Sequence, residues 1–279
     1  MGGKELMSGL KQKRKLIIFA SAVLVLLAIA LMADMIAPYD PNLQDLEQPL
    51  QAPGQFHILG TDRYGRDVFS RVLSGGKVTI FASVILVIIV AVWGSVIGLI
   101  SGYCGGKTDS ILMRICDVFL AFPALVFAVA VAGMLSGGLV SAMLALGFVS
   151  WPKYARMARA ATLNIKDQTY FLALQLSGCR HHVIIFKHIL PHILAVIMVS
   201  ALGDVGTMMM ELAGLSFLGL GVLPPTAEWG AMMAEGTSML QLYPWVIIAP
   251  GIAIFITVML FNLFGDALRD YMDCRRQVC

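Results

Sequence analysis

Apolar residues run in long blocks along this chain, and short polar segments separate the blocks. Three blocks hold no charged residue, at residues 16–33, 78–101 and 246–265. A hydrocarbon core about 30 Å thick is crossed by roughly 20 residues of α-helix, so each block is long enough to span a membrane. The pattern therefore predicts transmembrane helices instead of the one-sided helices of a soluble domain.

Three further blocks are long enough to span a membrane but are less uniform. Residues 111–134 and 139–158 are joined by a glycine-rich turn, and residues 193–215 carry two acidic side chains. With these blocks included, the sequence predicts an all-α membrane protein with about six transmembrane helices. Residues 38–76, between the first two spans, are rich in Pro, Gly, Asp and Gln and are predicted to be mostly loop.

The composition and the distribution of charge agree with this interpretation. Hydrophobic residues make up 58% of the chain and charged residues 13%, an apolar excess beyond what a soluble core buries. Cytoplasmic flanks of membrane helices carry an excess of Lys and Arg. With the N-terminus inside, sixteen of the 20 Lys and Arg residues are cytoplasmic, and six spans place both termini in the cytoplasm. The net charge of +3 follows from this topology and indicates no nucleic-acid partner.

The first apolar block has a second interpretation, because the basic segment 11–15 precedes it, as in a secretory signal peptide. The apolar stretch is longer than the core of a typical signal peptide. Residues 34–38 also lack the small-residue pattern of a cleavage site. A retained membrane anchor is therefore the favoured interpretation.

Residue types that often carry chemistry do not indicate a catalytic or cofactor site here. The five cysteines fall at or near the predicted cytoplasmic face, where thiols stay reduced. Residues 106–108 match the last residues of a phosphate-binding loop motif, but such a loop follows a β-strand and these residues follow an apolar helix. Four histidines between residues 181 and 192 could form a metal cluster, although solvated or subunit-contacting histidines are commoner. We expect no cofactor and no enzyme activity in this chain.

The long cytoplasmic connection, residues 152–192, is the segment most informative about function. Residues 171–178 predict a short apolar helix ended by a glycine. Residues 183–191 predict a second apolar-faced helix, with Pro191 opening the next span. Apolar helices outside the membrane need a surface to cover them, which is either a partner protein or the lipid interface.

This connection resembles the EAA motif of bacterial ABC importer permeases, in which a glycine is followed after a fixed gap by an apolar residue, leucine and proline. The matching positions are Ala173, Gly178, Ile189, Leu190 and Pro191. Leu172 and Leu174 stand where glutamate and a second alanine are usual in that motif. The resemblance implies that an ATPase docks on this loop, and the departure implies an apolar contact without the usual ionic one.

Three other segments resemble the C-type permeases of dipeptide, oligopeptide and nickel importers. They are residues 57–71, residues 215–221 with 225–230, and residues 262–270. The resemblance implies the type I ABC importer permease fold, with residues 1–76 as an anchor helix and external loop and residues 77–273 as the transmembrane domain. It also implies a homologous second permease, two ATPase subunits and an extracytoplasmic solute-binding protein, in the inner membrane of a bacterium.

The block at residues 193–215 carries the candidate residues of the translocation path. On a helix, Ser200, Asp204, Thr207, Met208 and Glu211 fall near one face. Ionisable groups inside a span are costly unless they face a cavity or pair with other groups. Asp204, Met208 and Glu211 could touch a metal ion transiently, since carboxylates and thioethers both bind metals. The alternative is that Asp204 and Glu211 pair structurally with neighbouring helices.

The predicted cargo is nickel or another chelated transition-metal ion. Residues 171–173 lack the acidic start usual in peptide permeases, and together with residues 204–209 they resemble nickel-transport permeases. A di- or oligopeptide is the alternative cargo. A stand-alone secondary transporter would often show an inverted repeat, and a membrane enzyme would need a nucleophile or metal-ligand constellation. Neither pattern is evident in the sequence.

Overall fold

The computed structural model describes residues 2–135 and 137–278, and helices account for most of them. An antiparallel bridge between Thr61 and Asp67 is the only strand-like pairing in this described part. A π-helical segment spans Ile184–Ile189, and a 3-10 turn spans Thr237–Met239. The α-helices are, in chain order, α1 (Gly2–Leu31), α2 (Ala33–Ile36), α3 (Val68–Cys104), α4 (Gly106–Leu120), α5 (Ala124–Met134), α6 (Leu139–Lys166), α7 (Thr169–Leu176), α8 (His181–Val183), α9 (Leu190–Phe217), α10 (Trp229–Gly236) and α11 (Trp245–Val278).

Four helical segments are long and apolar enough to cross a membrane. They are Lys11–Leu31 within α1, Val68–Cys104, His181–Phe217 and Trp245–Met272. These segments correspond to the first, second, fifth and sixth predicted spans. The strongest apolar blocks of the sequence are therefore confirmed as long helices.

The span predicted at residues 111–134 is not one continuous helix. The helical backbone is interrupted between α4 and α5, and the axes of the two helices meet at 87°. Pro123 has no N–H and disfavours helical backbone at the residue before it, so the first helix ends there. α5 has 11 residues, a length of about 16 Å, which is less than the hydrocarbon thickness of a bilayer.

The predicted span at residues 139–158 lies within α6, which is longer and more polar than expected. α6 continues through Pro152 to Lys166, and its second half carries several basic residues. It therefore lacks the apolar length of the four segments described above. Residues 152–166 of the predicted cytoplasmic connection continue this helix, and where the connection begins stays a prediction.

α3 begins earlier than the sequence predicts. The carboxylate of Asp67 accepts a hydrogen bond at 2.8 Å from the backbone N–H three residues later, and this cap starts the helix at Val68. The prediction that residues 38–76 are mostly loop is confirmed for residues 38–67, and the last nine residues are helical. Gly76 lies in this first part of the helix, where the indole of Trp229 packs so closely on the backbone that a larger residue would not fit. A Cβ at Gly76 would lie 2.7 Å from Cζ2 of Trp229.

α3 and α6 pack backbone against backbone through glycines. A Cβ at Gly94 would lie 2.5 Å from a carbonyl oxygen of α6, and one at Gly98 would lie 2.1 Å from the carbonyl oxygen of Ala155. Small residues at a four-residue spacing allow such approach of two helices in lipid. Gly133 and Gly137 have the same spacing, but a Cβ at either position would meet no described atom within 4 Å.

The helices are arranged around α3, which packs against α6 and α9. α11 packs on α9 and carries α1 on its outer side. The peripheral faces expose large apolar side chains, such as Leu24 at 65%, Trp93 at 61% and Phe255 at 67%. These helices satisfy their own backbone hydrogen bonds, so lipid is a suitable solvent for their apolar faces. The surface therefore supports the predicted location in a membrane.

Candidate functional site

The segment between α6 and the π-helical residues, together with those residues, is named here the coupling loop and comprises residues 167–189. Its helix α7 ends at a glycine as predicted, since Gly178 has a φ of +73°. The N–H of Cys179 donates to the carbonyl of Leu174 at 3.2 Å. This bond closes a Schellman cap, in which the residue with positive φ is usually glycine because a Cβ would be strained there. Gly178 therefore shapes the turn of the coupling loop.

The large apolar side chains of the coupling loop divide into an inner and an outer set. The inner set packs against the helix bundle and is buried, with Phe171 at 2%, Ile184 at 1% and Ile189 at 0% exposure. The outer set has no covering element in the described part of the chain. It consists of Leu172, Leu176 and Phe186, which are exposed by 55%, 90% and 68%. This outer set is an apolar surface available to a partner.

The seven residues predicted to couple to an ATPase do not all face outward. They are Leu172, Ala173, Gly178 and Pro191, which are exposed, Leu174 and Leu190, which are half-buried, and Ile189, which is buried. Ile189 therefore holds the base of the coupling loop against the bundle and offers no surface for docking. The role of the exposed members in docking stays a prediction.

The coupling loop continues into α9 without a break. The N–H of Leu190 donates to the carbonyl of Ile185, five residues back, which is the bond pattern of a π-helix. Pro191 lies in the first turn of α9, where no N–H is required. Its predicted position at the start of the span is confirmed, whereas the prediction of a separate helix over residues 183–191 is wrong. The coupling loop and α9 are therefore joined by continuous helical backbone.

The coupling loop and the last residue of α6 both contact the predicted cytoplasmic end of α3. The hydroxyl of Tyr103 lies 2.5 Å from Nδ1 of His181. Nζ of Lys166 donates to the backbone carbonyls of Gly102 and Tyr103, each at 3.0 Å. His181 thus takes part in an interhelical contact. Within the described residues, no three His, Cys, Asp or Glu side chains are arranged to hold a metal ion.

Asp204 of α9 is paired with α6. Nζ of Lys153 donates to its two carboxylate oxygens at 2.6 and 2.8 Å, and the hydroxyl of Tyr154 donates at 2.8 Å. The side chain of Asp204 is 12% exposed and that of Lys153 is 51% exposed. These contacts are the structural pairing that the sequence left as an alternative for Asp204. They also neutralise the carboxylate and leave half of the lysine side chain accessible.

The other predicted path residues of α9 lie in different environments. Ser200 lines, with Arg269, a cavity of about 200 Å³ between α6, α9 and α11. Thr207 is exposed and Met208 is buried. Oε2 of Glu211 is buried and meets no hydrogen-bond partner among the described residues. Their roles in the path, and in contacting a metal ion, stay predictions.

A second polar cluster lies at the external end of the bundle. Residues 57–71 and residues 228–236 form what is named here the external cap. Nε of Arg66 donates to Asp62, and Nη2 of the same side chain donates to Glu235, both at 2.6 Å. Arg66 is only 1% exposed, so its charge depends on these two carboxylates.

Arg71 is the second buried guanidinium of the external cap. It lies 3.6 Å from Asp62 and 3.7 Å from Glu235, and it donates to the carbonyls of Pro41 and Pro225 at 3.1 and 3.3 Å. The four-residue spacing of Asp62 and Arg66 in the sequence could have suggested their pairing. No local signal could have found Glu235, because it lies 169 residues from Arg66.

Glu228 connects α10 to α3. Its Oε1 accepts hydrogen bonds from the hydroxyl of Thr79 and the N–H of Gly230, both at 3.0 Å, and its Oε2 accepts from the N–H of Ala231 at 2.9 Å. The indole of Trp229 donates to a backbone carbonyl of α3 at 2.8 Å. The carboxylate therefore caps α10 and binds α3 at once. The external cap clamps the outer ends of the two helices together.

The helix arrangement is similar to that of a solved transporter. A chain of the MetNI methionine ABC transporter, in an inward-facing conformation, matches with a TM-score of 0.53 over 69% of this chain and 94% of that chain, at 21% identity. A second crystal form of the same transporter gives a TM-score of 0.54 at 20% identity. The class of fold is therefore the all-α fold of an ABC transporter membrane subunit, as predicted.

Several curated proteins are similar over most of the chain. The glutathione transport system permease protein GsiD of Pectobacterium atrosepticum is 41% identical over 90% of this chain and 84% of its own length. The nickel transport system permease protein NikC of Escherichia coli is 39% identical over 91% and 92%. The dipeptide transport system permease protein DppC of Haemophilus influenzae is 38% identical over 94% and 91%.

Residues 94–278 match the family described as binding-protein-dependent transport system inner membrane component. This chain belongs to that family, and it is an inner-membrane permease subunit of an ABC importer. The family resemblance of the coupling loop and external segments is confirmed. The three relatives are named for three different cargoes, so family membership leaves the cargo open.

Proposed function

We propose that this permease lines the translocation path together with a homologous second permease, and that two ATPase subunits drive it through the coupling loop. The observation that carries the proposal is the outer apolar set, Leu172, Leu176 and Phe186, on a loop that continues into α9. The ATPase subunits bind and hydrolyse ATP. Their closure moves the coupling loop and α9 between inward-open and outward-open arrangements. A solute-binding protein delivers cargo at the external side.

The proposed cargo carries a carboxylate. The side chain of Lys153 is half exposed beside the predicted path, and its ammonium is paired with Asp204, whose side chain is only 12% exposed. Lys153 is therefore the more accessible member of this ion pair, and its charge attracts a carboxylate and repels a bare divalent cation. A transition-metal ion held in a carboxylate chelate and a small peptide both satisfy this requirement.

Nickel in a chelate is the first candidate, since the sequence resembles nickel permeases and NikC is among its relatives. A di- or oligopeptide is the second candidate, and a specific observation favours it. Lys153 on α6 is half exposed and Glu211 on α9 is half-buried, with an Oε2 that meets no partner among the described residues, so the two side chains supply one positive and one negative group. Such a pair complements the two charged ends of a zwitterion.

Uptake by the reconstituted complex tests both candidates. The permease is co-purified with its partners, placed in proteoliposomes with ATP, and assayed with nickel chloride, a nickel–histidine chelate and a dipeptide. We expect chelate uptake that depends on ATP and falls in Lys153→Gln, while the exposed cytoplasmic control Lys107→Gln is unaffected. Dipeptide uptake without chelate uptake would overturn the first candidate. If bare nickel is taken up equally well by the wild-type protein and by Lys153→Gln, the carboxylate requirement is overturned.

The composition of the purified complex tests the partner assignment separately. Affinity capture of this chain from its own membrane is expected to recover a second permease and an ATPase. Transport by this chain alone, independent of ATP, would contradict the proposal and favour a stand-alone transporter.

A further inference from the structure

A groove between α4 and α6 is lined by charges that the transport path does not use. The groove has a volume of about 440 Å³ and includes Ser110 and Met113 in its wall. Its charged lining residues are Asp109, Arg114, Asp117, Arg156 and Arg159. Three cations and two anions leave one positive charge in excess.

Two of the three arginines are held in place by aspartates. Arg159 donates Nε and Nη2 to the two oxygens of Asp109, the second at 2.6 Å. Arg156 donates Nη2 to Asp117. These pairs fix two guanidinium groups on α6 at the side of the groove and leave part of their donors unused.

Arg114 is the cation without a carboxylate. It is exposed on α4 and makes no salt bridge among the described residues. The excess positive charge of the groove is therefore concentrated at its guanidinium. A guanidinium that is free to bind two oxygens at once suits a phosphate.

The groove lies where the predicted membrane boundary falls on the cytoplasmic side. The predicted spans begin at residue 111 and end at residue 158, so the three arginines stand within about one helical turn of that boundary. Ile111, Ile115 and Val118 form an adjacent apolar stripe on α4, exposed by 61%, 43% and 63%. A positive groove beside an apolar stripe is the arrangement that matches a lipid with an anionic headgroup and acyl chains.

We propose that this groove binds an anionic phospholipid of the cytoplasmic leaflet, with the headgroup phosphate at Arg114 and Arg156 and the acyl chains along the stripe on α4. The bound lipid fills the angle between α4 and α6 beside the break between α4 and α5. This site is independent of the cargo and of the ATPase contact proposed above. A soluble phosphate offers the same anionic group but has no acyl chain to contact the apolar stripe.

The test uses the complete transporter in nanodiscs of phosphatidylcholine containing a photoactivatable phosphatidylglycerol. Crosslinks are mapped to peptides of α4 and α6 by mass spectrometry. Arg114→Gln is expected to reduce labelling there about five-fold, the effect of removing one cation beside an anionic headgroup. Arg114 is exposed, so the variant should fold normally. Arg114→Lys should retain part of the labelling because it keeps the charge and loses the planar fork.

Lys107→Gln is the matched control, because Lys107 is an exposed cation on the same helix outside the groove. Equal loss of labelling in Lys107→Gln and Arg114→Gln would overturn the proposal and indicate diffuse attraction to the leaflet. Competition by inorganic phosphate as effective as that by phosphatidylglycerol would assign the groove to a soluble anion instead. Loss of the ATPase on affinity capture of Arg114→Gln would assign the groove to a protein contact and also overturn the lipid site.

Discussion

The external cap and the coupling loop stand at opposite ends of one helix bundle and are held in opposite ways. In the external cap, buried Arg66 bonds two carboxylates and buried Glu228 accepts three hydrogen bonds. In the coupling loop, the outer apolar set is exposed, and the turn after α7 is shaped locally by Gly178. The polar groups of the external cap are paired within the chain, whereas the outer apolar set of the coupling loop is uncovered.

This difference follows from what each end must accomplish. Buried charges are costly unless every member of the network is paired, so the external cap has one low-energy arrangement and links α3 rigidly to α10. Exposed apolar side chains gain stability only when another surface covers them. The coupling loop is therefore suited to a partner whose position changes during transport.

Removal of Arg66 should break the external cap most severely. Arg66→Ala leaves Asp62 and Glu235 without their closest cation, and loss of one partner of a buried ion pair costs about 3–5 kcal/mol. We expect a sharply lower melting temperature in detergent, with little folded protein recovered. Arg63→Ala is the control, because Arg63 is exposed in the same loop and packs on Tyr64. Similar stability losses in the two variants would contradict the buried network.

Glu228→Gln should weaken the external cap less. Glutamine keeps one acceptor oxygen but removes the charge that caps α10, so we expect a loss of about 1–3 kcal/mol. Thermal unfolding followed by circular dichroism measures it. Glu47→Gln makes the same chemical change at an exposed position of the external loop and should leave the melting temperature unchanged. An unchanged melting temperature in Glu228→Gln would refute the clamp between α10 and α3.

Gly178→Ala should separate stability from coupling. The positive φ of Gly178 costs an alanine about 1–2 kcal/mol, which the chain can avoid by reshaping the turn. We expect a small change in melting temperature and about a five-fold or greater loss of ATP-dependent uptake. Gly133→Ala is the control, because Gly133 has no positive φ and open space around it. Full uptake by Gly178→Ala would contradict the role assigned to the turn.

Leu176→Ser should have the smallest effect on the chain itself. Leu176 is 90% exposed, and exposed substitutions usually change stability by less than about 0.5 kcal/mol. If the outer apolar set docks an ATPase, recovery of that ATPase on affinity capture should fall while the melting temperature stays constant. Leu242→Ser is the control at an exposed external position of 76%. Equal ATPase recovery from both variants would remove Leu176 from the docking surface.

The helices that the sequence predicted best are those with uninterrupted apolar blocks. Length and apolarity decide whether a segment can exist in lipid, and both are properties of the segment alone. The glycine-ended helix α7 and the start of α9 at Pro191 were predictable for the same reason, since Gly and Pro act through their own backbone geometry. The resemblance to importer permeases was confirmed by the family match over residues 94–278 and by relatives that are 38–41% identical over 90–94% of the chain.

The failures share a different cause. The helix is interrupted before Pro123, with a bend of 87°, but α6 continues through Pro152, so a proline in the sequence does not by itself say where a helix ends. The early start of α3 depends on Asp67 and on the indole that covers Gly76. Hydropathy averages over such local contacts and therefore misplaces helix ends and breaks.

For the candidate site, too, the sequence predicted the properties that depend on single residues and missed those that depend on packing. The sequence identified Asp204 and Glu211 as unusual ionisable residues in a span, because their cost in lipid is independent of their neighbours. It could not decide between path and pairing, since Lys153 reaches Asp204 only when α6 and α9 are packed together. The external cap was missed as a network because Arg66 and Glu235 are distant along the chain.

By itself, the sequence determined that this protein lies in a membrane and that it resembles an importer permease, and it predicted how the ends are oriented. Apolar length, charge bias and motifs are all local properties of the sequence. Only the tertiary structure decided which charges are neutralised, which glycines bring helices together and which apolar residues remain uncovered. These properties depend on contacts between residues far apart in sequence. Their free energies exist only once the helices are packed.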